Sequence, residues 1–175
     1  MVSAVYAGAL AAALFATGCG STDVFSRNTD GVFAPAGIAA SQAVTYDQNL
    51  VPTGSSIHVR QRTEAGGATT VELRVAGVKA GHAYGVHIHQ KACGANPKDA
   101  GMHYQNEPGM DAAHVNDKNE VWLDFKADAD GNASVKAQHS WAFRKGEAGS
   151  VVIHSVQGTK GSRAACFTVP FDSAS

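Results

Sequence analysis

A chain of 175 residues with 44% apolar side chains is long enough to bury one real core and too short for two. Its formal net charge of −1, with acids and bases interspersed, lacks the basic stripe that neutralises a phosphate backbone, which excludes nucleic acid as a partner. The 19 glycines punctuate short runs rich in Val, Ile, Thr and aromatics, a pattern of strands separated by turns, so the expected class is all-β.

In chain order, residues 1–18 are almost all Ala, Val, Leu and Gly without a charge, and they stop at Cys19. The run is too short to span a bilayer comfortably and reads as an export signal. Phe15-Ala16-Thr17-Gly18-Cys19 resembles the lipobox of bacterial lipoproteins, which implies lipid attachment at Cys19 and a place outside the cytoplasm on the cell membrane. Ala16 stands where Leu is usual, and no Lys or Arg precedes the apolar stretch. Setting Cys19 aside leaves Cys93 and Cys166, and a single disulfide is the economical pairing in an exported chain.

Residues 19–35, polar and without sustained periodicity, read as a flexible tether, and residues 36–172 as the folded domain. Alternation of apolar or β-branched residues predicts strands at 42–46, 56–61, 69–75 and 84–90. The Gly-, Pro-, Asn- and Asp-rich stretch 94–118 is a long loop. Residues 120–125 and 132–138 alternate again around the turn Asp128-Ala129-Asp130-Gly131 and read as a hairpin. Strands at 149–154 and 166–171 close the domain, and seven or eight strands without a helical period suggest a Greek-key sandwich or barrel.

In Gly85-Val86-His87-Ile88-His89 the two histidines lie two apart on a strand, so both imidazoles project from one face while Val86 and Ile88 pack the other. Alone, this is also what an exposed polar face looks like. His103, in the loop, and His154, at the end of Val151-Val152-Ile153-His154, extend the pattern to four imidazoles, a donor set that suits copper in both oxidation states. His58, His82 and His139 match no ligand spacing, and Trp122, Phe125, Trp141 and Phe143 read as sheet packing.

These motifs, with Cys93 before Ala100-Gly101-Met102-His103-Tyr104 and with Gly161-Ser162-Arg163-Ala164-Ala165-Cys166, resemble the copper/zinc superoxide dismutases from about Gly37 to Phe171. The resemblance implies a Greek-key β-barrel of eight antiparallel strands with a long metal-binding loop. It also implies copper on His87, His89, His103 and His154, a Cys93–Cys166 disulfide, and conversion of superoxide to oxygen and hydrogen peroxide. Arg163 would draw in and bind the anionic substrate beside His103.

The zinc half of the family pattern is incomplete. His103, His114 and Asp117 are in place, but the middle histidine is missing, and Met110 or Asp111 stands near its position. A set of His103, His114, Asp117 and Asp111 would be one zinc site. In its absence His103 would be oriented by Glu107, Asp111 or Glu120. The segment from Ser155 to Ser162 is short and has no acid, whereas the family's loop there carries an aspartate that links the metal ligands. The competing readings are a copper storage or delivery lipoprotein of the same fold, and a metal-free adhesion or assembly domain. The resemblance leaves a homodimer open.

Overall fold

The structure, a computed structural model, describes residues 23–38 and 41–173. Among these it forms ten strands: β1 Asp23–Val32, β2 Ala34–Pro35, β3 Ala43–Thr45, β4 Ser56–Glu64, β5 Thr69–Ala76, β6 Ala83–His89, β7 Phe125–Lys126, β8 Ala133–His139, β9 Ala148–His154 and β10 Arg163–Phe171. A 3₁₀ turn at Pro97–Ala100 lies in the long loop. The four-stranded sheet runs β1-β4-β5-β8 and the six-stranded sheet β2-β3-β10-β9-β6-β7. All pairings are antiparallel except β2 with β3. The out-of-order neighbours β5 with β8 and β6 with β9 are Greek-key crossovers, as the sequence reading expects.

Period-two alternation explains the core. Ile57 and Val59 on β4 and Val71, Leu73 and Val75 on β5 turn inward. They meet Tyr84, Val86 and Ile88 of β6, Val151 and Ile153 of β9, and Phe167, Val169 and Phe171 of β10 in one buried cluster. The six-stranded sheet is covered on its outer side too. There Val44, Val152 and Cys166 pack against Ala100 from the loop, which is why residues 151–153 are apolar without interruption. The Cys93–Cys166 disulfide forms, with a Cα–Cα distance of 5.7 Å, and it fastens that loop to β10. Closing 73 residues of chain, it removes about 4 kcal/mol of conformational freedom from the unfolded state.

Two expectations are corrected. Residues 23–32, read as part of the 19–35 tether, are β1, paired along its length with β4. As an edge strand β1 needs no apolar alternation: Val24, Ser26, Asn28, Asp30 and Val32 face water, and the backbone ladder supplies the order. Residues 120–138 are not a hairpin, because β7 pairs with β6 whereas β8 pairs with β5. The Asp128 carboxylate accepts the N–H groups of Asp130 and Asn132, closing a turn that carries the chain from one sheet to the other. The segment 1–18 and Cys19, read as export signal and lipid site, lie outside the described residues.

Gly31 of β1 faces the core so closely that a Cβ there would sit 2.5 Å from the Phe167 ring. Gly31→Ala should therefore destabilise the domain by roughly 1–3 kcal/mol in urea unfolding, as overpacking does, whereas a residue in a tether would show no change.

Candidate metal centre

The pairing of β6 with β9 sets Gly85 opposite His154, His87 opposite Val152 and His89 opposite Ser150. Val86 and Ile88 fill the core, so His87 and His89 leave the sheet on its outer face next to the end of β9. Gly85 has no room for a side chain: a Cβ would meet the Val156 carbonyl at 2.5 Å, so the segment after His154 can fold down over the site. The loop delivers His103 by extending the sheet. His103 bridges to His89, Tyr104 donates its N–H to Ile88, and the Gln90 N–H reaches Met102. Arg144 holds the far side of this loop, donating to the Gln105 and Asn106 carbonyls and lying over the Tyr104 ring.

The four imidazoles converge, with neighbouring ring centroids 4.3 to 5.6 Å apart. His87 Nδ1 is 3.1 Å from His103 Nε2, and His89 Nε2 is 3.3 Å from His154 Nε2. His87, His103 and His154 each bring a ligand atom within 4.8 Å of the other two, and His89 joins through His154.

The outward nitrogens decide what the inward ones present. His89 Nδ1 donates to the Gly101 carbonyl and His154 Nδ1 to the Gly161 carbonyl; since a carbonyl only accepts, each proton sits on Nδ1 and Nε2 keeps its lone pair. His103 Nδ1 donates to Glu120 Oε2 at 2.7 Å. Burial by itself would raise the Glu120 carboxyl, but hydrogen bonds from His103, Gln105 and Trp122 outweigh it and hold the group below its ordinary range, ionised. His87 Nε2 lies 3.3 Å from Asp124 Oδ1 but off the line of a good hydrogen bond, so it is a buried nitrogen without a full partner.

Burial pushes the His87 imidazole below its ordinary pKa, that of His89 down to about 2 and that of His154 to about 4. The rings are thus held neutral, as metal ligation requires. The His89 and His154 lone pairs, facing one another at 3.3 Å, repel unless a cation lies between them. The donor set fits a metal ion, and four imidazoles without a thiolate are compatible with copper.

Access is one-sided. The side chain of His103 is 17% exposed, whereas His87 and His89 are fully covered and His154 is 3% exposed. His103 lines a cavity of about 530 Å³ together with Arg163, Glu120, Met102, Met110 and Gln105. Arg163 is fixed at its tip by the Pro97 and Gly101 carbonyls, the latter shared with His89.

Sequence reasoning placed the four histidines, Arg163 and the disulfide cysteines where the structure brings them together. Of the three carboxylates considered for His103, Glu120 holds it; Glu107 instead pairs through its backbone with Asn119. The zinc set of His103, His114, Asp117 and Asp111 does not assemble. His114 pairs with Asp111 at 2.6 Å, Glu120 takes the His103 nitrogen that zinc would need, and among the described residues no third ligand joins the pair.

Asp124 and Trp122 were missed as site residues. Asp124 accepts N–H groups from Val86 and Gly158, tying the short 155–162 segment to β6, and Trp122 packs its ring 5.3 Å from His87. The signal was in the alternation: Val121, Leu123 and Phe125 are core, so Glu120, Trp122 and Asp124 share the opposite face. Glu120→Gln should weaken metal binding by about 10–100-fold in a chelator competition while leaving the unfolding midpoint nearly unchanged, because it removes the charge that orients His103.

The family model for copper/zinc superoxide dismutase (SODC) matches residues 53–168. No curated protein matches the chain. Two solved structures of mutants of a SOD-like protein from Bacillus subtilis are similar. The double mutant has 17% identity, a TM-score of 0.46 and coverage of 63% of this chain and 86% of that one. The single mutant has 14% identity, a TM-score of 0.49 and coverage of 67% and 89%. With the family model matched over most of its described residues and the histidines in place, the chain belongs to the copper/zinc superoxide dismutase family.

Proposed function

We propose that this protein is a copper-dependent superoxide dismutase that works outside the cytoplasm, anchored to the membrane by lipid at Cys19. One observation carries the enzymatic reading: four imidazoles turn ring nitrogens onto one point, and the partly buried Arg163 shares the cavity that leads to it. Copper on His87, His89, His103 and His154 would supply the one-electron couple that oxidises one superoxide to oxygen and reduces a second to hydrogen peroxide.

The protein's own residues do the rest. Arg163 gives the cavity a permanent positive charge; its bonds to Pro97 and Gly101 aim the guanidinium and leave N–H groups for an anion. His103 keeps its proton on Nδ1 against Glu120 and presents Nε2 on the cavity side. Asp124 lies beside His87 and ties the 155–162 segment to β6, covering the back of the site. Zinc has no part in this reading, since Glu120 occupies the His103 nitrogen that a second metal would use.

Arg163→Ala should lower superoxide removal by the copper-loaded protein about tenfold or more and flatten its dependence on ionic strength, with Arg163→Lys in between, because steering scales with charge. His154→Ala should lose bound copper. Tight copper binding with no superoxide removal by the native protein would leave a copper carrier in place of an enzyme. For the location, Cys19→Ser should move the protein from the membrane fraction to the soluble extracytoplasmic fraction.

A further inference from the structure

The chain has three methionines. Met1 aside, both are exposed: Met102 at 54% and Met110 at 80%. An unbranched thioether ordinarily fills gaps in a core, yet the core here contains none. Instead both methionines line the cavity over His103, Met102 directly before that residue in sequence and Met110 directly after Gly109, which lines it too. Superoxide, a small hydrated anion, gains nothing from two apolar thioethers at the entrance.

We propose that Met102 and Met110 form an entry site for monovalent copper, which captures Cu(I) and passes it to the four histidines. The inference rests on the copper reading given above. Thioether sulfur is a soft donor that selects Cu(I) over Cu(II) and over zinc. The two domain cysteines are locked in a disulfide, so the methionines are the soft donors available at the cavity. Three rotatable bonds let each sulfur move within the cavity that His103 lines. Transfer is ligand exchange with no electron moved: thioether–copper bonds break as imidazole–copper bonds form at His103 Nε2, on the most accessible of the four rings. It runs inward because four imidazoles around one point offer more donors than two exposed thioethers.

The test uses the metal-free full chain with ¹³C-labelled methionine methyl groups and silver(I) as a redox-inert stand-in for Cu(I). Equimolar silver should shift the Met102 and Met110 methyl resonances, while zinc(II) should leave them in place. In anaerobic uptake from a Cu(I) chelator, Met102→Leu/Met110→Leu should load about tenfold more slowly than the native chain, with the same final copper content and unchanged loading from Cu(II). Leu keeps the bulk of these exposed side chains, so the variant should fold. Methyl resonances that ignore silver, or equal Cu(I) uptake by both proteins, would overturn the entry site alone. Failure of the native chain to bind copper in either oxidation state would overturn the dismutase reading and the entry site together.

Discussion

The site depends on the register between β6 and β9. With Gly85 opposite His154, the paired histidines of one strand and the terminal histidine of the other emerge on the same outer face at ring-to-ring distance. A slip of one residue would turn His87 and His89 into the core and Val86 and Ile88 into the site. The register is strongly held because the inner face is part of the large apolar cluster and the outer face is covered by Val152, Cys166 and Ala100. The histidines therefore inherit the rigidity of a sheet buried on both faces.

Around this pair the loop is organised by shared acceptors. The Gly101 carbonyl accepts a hydrogen bond from His89 and another from Arg163, so the orientations of an inner imidazole and of the cation at the cavity are set by one backbone atom. Glu120 takes bonds from His103, Gln105 and Trp122. Asp124 joins β6, His87 and the segment after His154. Each of these three acceptors thus supports one of the histidines, and the disulfide ties the covering loop to β10.

This arrangement accounts for the departures from the family pattern. The segment 155–162 is short and has no acid, and Asp124 on the strand-like stretch before β7 contacts both His87 and that segment. The middle zinc histidine is missing, and Glu120 supplies the anionic partner for His103. Both carboxylates come from the alternating run of Glu120, Trp122 and Asp124, so one short segment does with charge and hydrogen bonds what a second metal and a longer loop would otherwise do.

Local pattern was enough for the strands with clean alternation, for His87 and His89 on a common face, and, through ordered motifs, for His103, His154, Arg163 and the Cys93–Cys166 pair. β1 was illegible because an edge strand is held by backbone pairing with β4, which leaves no apolar period in its side chains. The supposed 120–138 hairpin failed because a turn signal such as Asp128–Gly131 states that the chain reverses, not which sheet receives it. The same limit applied to His103. The sequence by itself narrowed the second partner of His103 to zinc or one of Glu107, Asp111 and Glu120; only the tertiary structure decided for Glu120, because a contact between residues 17 apart depends on how the loop and the following strand fold onto β6.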